Sequence, residues 1–231
     1  KEDFLSSRSW VNRLNLRVSF GYAGNSPNPG EGGPYDILAS TSDPSYSDFG
    51  LGYQIITPAN DKLSWEKTRT VNVGADFAFL GNRLDGSIDL YDKRTTNLLA
   101  QIPVDPTTGF TRVLSNLGTM TNRGVELALS SVNIDRRIFR WTTDFNFTFN
   151  ANKLVEMYIE QPQSPYILAT QNYWAGYPYG TVFAYNWAGL DPKDGMPRAY
   201  DSKGEAVRSI TAIDSTDAVM YMGTTVPPFY G

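Results

Sequence analysis

The chain has 231 residues, a formal net charge of −4 and a pI near 4.9, with no run of Lys or Arg, so it lacks the electrostatic footprint of a nucleic-acid binder. It contains no Cys and no His, which excludes disulfides, thiolate metal sites, cysteine nucleophiles and the commonest general base. Aromatic content of 13% and 20 Gly favour β architecture. No apolar run approaches the roughly 18 residues of a membrane helix, a scan that is blind to barrel strands.

Lys1 to Arg13 are expected to hold a short helix or turn around Phe4, Trp10 and Val11. A strand follows over 14–23, where Leu14, Leu16, Val18, Phe20 and Tyr22 form one row and Asn15, Arg17, Ser19 and Gly21 the other. Residues 26–64 are rich in Pro, Gly, Ser and Asp, a connection too long for an ordinary compact domain and suggestive of a functional surface.

Two long strands, 66–79 and 84–95, fold on a tight turn centred on Gly81-Asn82. This register sets Phe79 against Leu84, Phe77 against Gly86, Ala75 against Ile88 and Val73 against Leu90 on a greasy face. The wet face carries Asp76 against Ser87, Gly74 against Asp89, Asn72 against Tyr91 and Thr70 against Lys93.

A second long connection is expected over 99–122, containing Pro103, Pro106 and Gly109. A strand at 124–134 then presents Val125, Leu127 and Leu129 on one side, with a short turn at 135–137. The strand at 139–150 sets Phe139, Trp141, Phe145, Phe147 and Phe149 against Arg140, Asp144, Asn146 and Asn150. Both apolar rows have odd numbers, which predicts a turn of three or five residues. Residues 152–225 form one large excursion with short strands or hairpins, and a further strand starts at 226–231.

Long and short connections therefore alternate, placing every long loop at one end of an antiparallel meander and every tight turn at the other. Outer-membrane barrels have this asymmetry, with short periplasmic turns and long extracellular loops. Trp65, Tyr22 and Tyr91 toward the long-loop end, and Phe79, Phe139 and Trp141 toward the other, suit interfacial girdles. The same alternation also fits a soluble β-sandwich, such as a carbohydrate-binding module, with the apolar rows as its core.

The segments LNLRVSFGYAGN (14–25), LSWEKTRTVNVGADFAFLGNRLDGSIDLYDKRTTNLL (63–99), NLGTMTNRGVELAL (116–129), WTTDFNFTFNANKLV (141–155) and AGYPYGTVFAYNWAGLDPKDGMPRAYDSKGE (175–205) resemble, in order, the SusC/RagA-like family of TonB-dependent outer-membrane transporters. The resemblance implies part of a wide barrel of the 22-stranded class, from its C-terminal portion, in the outer membrane of a Gram-negative cell. It implies import of oligosaccharides or peptides through that lipid bilayer, with a SusD-like surface lipoprotein closing over the mouth. It also implies energy supplied by the TonB complex through a plug region that this chain lacks. Five strands and a stub cannot close such a barrel, so the chain is expected to be a portion of a longer protein.

No catalytic residue, cofactor or metal is assigned. Asp76, Asp85, Asp89 and Asp144 are spaced as solvated polar-face residues, without a second catalytic group. Asp191, Asp194 and Asp201 offer oxygens near glycines, yet the calcium-loop spacing is absent, and turn chemistry is expected instead. Tyr173, Trp174, Tyr177, Tyr179 and Tyr185 are the candidate contacts to a ligand or a lid protein.

Overall fold

Alternating side chains make the long strands of this chain, and the pairing of like rows sets how they lie together. The computed structural model describes residues 9–41, 52–160, 164–170, 173–208, 213 and 215–230. In chain order the strands are β1 (Val11–Asn25), β2 (Ile37–Thr41), β3 (Gly52–Thr57), β4 (Glu66–Phe79), β5 (Leu84–Pro103), β6 (Arg112–Asp135) and β7 (Arg140–Met157). A one-and-a-half-turn helix, α1 (Pro165–Thr170), precedes β8 (Thr181–Tyr185), β9 (Trp187–Leu190), β10 (Pro197–Tyr200), β11 (Ala206–Val207), β12 (Val219–Thr224) and β13 (Phe229–Tyr230).

Six strands form one antiparallel sheet in the order β1-β4-β5-β6-β7-β13. The register is the one that alternation predicts: Val73 faces Val18 on one side and Leu90 on the other, and Leu90 faces Val125. Val125 in turn faces Phe149, which faces Phe229. One apolar row thus crosses all six strands. It is not the core of a sandwich. Leu16, Val18 and Phe20 are 77%, 75% and 63% exposed, and among the described residues no second sheet covers them.

The β4–β5 turn obeys its chemistry. Gly81 and Asn82 have φ of 69° and 65°, the left-handed values that a two-residue hairpin requires. Leu80 shares that sign at 57°, and its N–H is held by the Trp10 carbonyl at 2.8 Å. The Asn12 side chain accepts from the Gly81 and Asn82 N–H groups at 2.7 and 3.3 Å, tying the turn to β1.

Four expectations are corrected. The connection at 99–122 shrinks to residues 104–111, because β5 and β6 go on pairing to Pro103 and Arg112. Bulges between Thr95 and Leu98 interrupt the alternation there and hide the strands from a period-two reading. The β6–β7 turn closes on a mutual Arg136–Phe139 backbone pair, leaving two residues, 137–138, in the loop rather than three or five, and a bulge between Val132 and Ile134 absorbs the parity difference. Val11 opens a strand, so the expected helix or turn is confined to a turn at Ser9 and Trp10, with the Trp10 ring 5.4 Å from Phe79, while Lys1 to Arg8 lie outside the described residues. Tyr91 is not a girdle residue. It crosses Gly124 on the polar face, where its hydroxyl reaches Asn150 Oδ1 at 3.1 Å.

The long connection at 26–64 contains the β2–β3 pair, and the excursion contains a β8–β12 pair and a β9-β10-β11 sheet.

Candidate functional site

On the polar face, alternation sets Arg17, Asp76 and Asp89 side by side on β1, β4 and β5. The Arg17 guanidinium bridges both carboxylates, at 3.1 Å to Asp76 and 2.9 Å to Asp89. Asn72 Nδ2 adds a long contact of 3.4 Å to Asp89. Gly74 makes room for this cluster, since a Cβ there would strike the Asp89 carboxylate. A neighbouring hollow of about 480 Å³ is lined by Arg13, Asp76, Asp85, Ser87, Asp144 and Asn146, among others. Asp76 and Asp89 are thus held as an ion-paired cluster, with side chains 32% and 18% exposed.

Toward the long-loop end the same polar row changes character. Gly124 and Asn122 on β6 face Asn150 and Asn152 on β7, but the next pair outward is Met120 with Leu154. Leu154 and Leu117 are completely buried, packed with Ala100 and Tyr173 and flanked by Leu98, Ile102, Met120 and Met157. The row turns apolar where the excursion folds over it. Backbone bonds fix that docking: the Leu154 N–H donates to the Tyr177 carbonyl at 2.8 Å, and the Gly176 N–H to the Leu154 carbonyl at 2.7 Å. The Tyr179 N–H donates to Asn152 Oδ1 at 2.7 Å. The excursion thereby also pairs the upper edge of β7, as β13 pairs it lower down.

Beyond this contact the excursion has its own core of Leu168, Phe183 and Val219, with Trp174, Tyr177 and Tyr185 packed around it. Tyr177 meets Phe183 edge-on at 5.1 Å and Tyr221 at 5.1 Å. The five aromatic candidates therefore divide. Tyr173 is 4% exposed, and burial pushes its phenol pKa up despite the opposing pull of Arg112. Trp174, Tyr177 and Tyr185 are half-buried packing residues, and Tyr179 is the exposed member of the set.

The carboxylates near glycines are occupied in turns. Asp191, Asp194 and Asp201 accept from the N–H groups of Lys193, Met196 and Lys203 at 2.9, 3.2 and 2.9 Å. Arg208 then clamps Asp191 at 2.8 Å and Asp194 at 2.8 Å. The Lys193 N–H, followed by Arg208, holds the Asp191 carboxyl below its usual range. Among the described residues no group of three or more acidic side chains is arranged to hold a metal ion.

Two features escape a reading of the sequence alone. Asn116 locks the 26–64 connection to the protruding β5–β6 hairpin, accepting from the Ser64 N–H at 2.8 Å and donating to the Ser64 and Asn97 carbonyls at 2.9 and 2.8 Å. Arg208, remote from its partners in sequence, carries no local signal. The Met120–Leu154 switch was visible in principle, as apolar residues at polar parity.

An open antiparallel sheet with a bare apolar face, a charged opposite face and a cap at one end defines a section of membrane-barrel wall. Known proteins agree. The model of the TonB dependent receptor-like, beta-barrel family matches residues 8–216. The TonB-dependent receptor P39 of Formosa agariphila is 32% identical over 157 residues, covering 68% of this chain and 15% of that protein. The TonB-dependent receptor SusC of Bacteroides thetaiotaomicron is 26% identical, covering 96% of this chain and 23% of its own length. A structure of the RagAB peptide transporter superposes with a TM-score of 0.78 at 25% identity, over 98% of this chain and 25% of that one. The chain belongs to the TonB-dependent receptor β-barrel family, in its SusC/RagA-like branch. It spans about 15–25% of the length of these relatives.

Proposed function

We propose that this chain forms wall, lumen lining and part of the outer mouth of a nutrient importer in the Gram-negative outer membrane. The observation that carries this reading is the inverted sheet: its apolar row is exposed, its polar row holds the Arg17–Asp76–Asp89 cluster, and a folded excursion covers that polar side at the long-loop end. In this reading the apolar row meets lipid and the polar row lines a wet lumen. Ligand enters past the excursion, with a SusD-like lipoprotein as lid and TonB as the source of work. The cargo is an oligosaccharide or a peptide. The family resemblance supports the former, and similarity to a RagAB peptide transporter supports the latter. Tyr179, and Tyr221 beside Tyr177, are the exposed aromatic contacts offered to ligand or lid.

The test is genetic. Deleting the native gene should abolish growth on at least one member of a panel of oligosaccharides and peptides, and deleting TonB should reproduce that loss. Unchanged growth across the panel overturns the reading.

A further inference from the structure

The apolar face does not stay apolar to the top of the sheet. Two cross-strand rows follow Val73, Leu90 and Val125 outward. The first is Phe20, Val71, Asp92, Arg123 and Ala151, and the second is Tyr22, Arg69, Arg94, Thr121 and Lys153. Partners in a ladder project on the same side, so Arg123, Arg69, Arg94 and Lys153 all stand on the face of the lipid-exposed row. Lys67 follows one step further out, its Nζ lying 4.9 Å from the Tyr22 ring centroid.

Asp92 is the one carboxylate in these two rows. It is shared by Arg69 at 3.3 Å and Arg123 at 2.6 Å. Among the described residues Lys67, Arg94 and Lys153 have no carboxylate within ion-pair distance. Arg69 and Arg94 are directly opposed, an arrangement of like charges that costs stability unless an anion joins them. Arg69 Nε is screened from solvent and has no hydrogen-bond partner among the described residues. Tyr22, Lys67, Arg69, Arg94 and Thr96 enclose a hollow of about 230 Å³ on this face.

We infer that this hollow binds the phosphorylated headgroup of an outer-leaflet lipid. The inference rests on the apolar row facing lipid. The chemistry fits: guanidinium and ammonium groups donate several charge-assisted hydrogen bonds to a phosphate, and the exposed rings of Phe20 and Tyr22 sit where acyl chains give way to headgroups. The position, immediately beyond the last apolar row, is headgroup depth.

The test uses the receptor purified from its native gene in detergent. Retained lipid is measured after incubation with micelles containing phosphorylated lipid A, with the same lipid dephosphorylated, and with inorganic phosphate competing. Phosphorylated lipid should be retained and the dephosphorylated form lost, with millimolar phosphate competing poorly. Replacing Lys67, Arg69 and Arg94 together by Gln should weaken retention about tenfold or more, each basic group near an anionic surface contributing measurably. Lys93→Gln, on the opposite face beside Tyr91, should leave retention unchanged. Equal retention of the two lipids overturns the inference, and full displacement by inorganic phosphate marks a simple ion site and also overturns it. If the triple variant does not assemble, the comparison of the two lipids on the unmodified receptor still decides. Should Val73→Arg assemble normally, the lipid-facing orientation itself fails. If it blocks assembly while the two lipids bind alike, only the headgroup site fails.

Discussion

Leu16 and Val18 of the wall are 77% and 75% exposed, whereas Leu168, Tyr173 and Phe183 of the excursion are 4%, 4% and 6% exposed. The two regions meet the same physical demand in opposite ways. In the wall the backbone is satisfied by ladder hydrogen bonds between neighbours, and the apolar row is left for a solvent that is itself apolar. In the excursion, water is the solvent, so apolar side chains turn inward: Leu168, Phe183 and Val219 form a small core, and Tyr173 packs onto Leu117 and Leu154 of the wall strands. The changeover falls at Met120 and Leu154, the next same-face pair above Asn122 and Asn152. A single strand therefore serves both regimes.

Substitutions can break this contrast in order of size. Phe183→Ala removes the ring at the centre of the excursion core and should cost about 3–5 kcal/mol locally. The expected outcome is proteolysis within 165–224 of a receptor that still assembles. Loss of assembly as well would show that the two regions fold as one. Val73→Arg should cost about 2–4 kcal/mol near the bilayer midplane, while its neighbour Asn72→Arg is tolerated. Heat-modifiable migration of the assembled barrel reads both, and equal behaviour would reverse the faces. Gly124→Ala places a methyl against the Tyr91 ring and 2.5 Å from the Phe149 carbonyl, overpacking worth about 1–3 kcal/mol. A lowered unfolding midpoint is expected, restored only partly by Tyr91→Ala because the carbonyl stays.

The smallest effect is a pH dependence confined to the 191–208 turns. The Asp191 pKa is lowered in the folded chain, so its stabilisation is fully present above the ordinary carboxylate range. That stabilisation is lost as pH falls through the depressed folded value. Protection of the Lys193 amide, taken relative to its intrinsic exchange rate, should fall under acid, and Arg208→Gln should shift the onset to higher pH. No change in onset would reduce the clamp to a surface contact.

The hairpin register, the two faces and the polar row of Arg17, Asp76 and Asp89 were legible because they rest on local rules. Period-two alternation assigns the face, and Gly81-Asn82 assigns the turn. What the rules missed lies where alternation breaks. The bulges at Thr95–Leu98, Thr119–Met120 and Val132–Ile134 each shift one strand against another, so β5 and β6 outlast their visible pattern. A bulge is decided by both strands, and neither sequence announces it alone.

The five Tyr and Trp residues between 173 and 185 were legible as an unusual concentration, but not their division of labour. Tyr173 is buried against Leu117 and Leu154 while Tyr179, stacked on it at 6.5 Å, stays 36% exposed, a difference set by partners drawn from separate strands. The same holds for the basic rows on the apolar face. Lys67, Arg69, Arg94, Arg123 and Lys153 form no run in the sequence, and only the register of four strands gathers them into three successive rows toward one end of the face. Alternation determined which way each residue points. Pairing between distant strands decided what it meets there, because contacts across a sheet depend on register, and register is a property of two chains of residues at once.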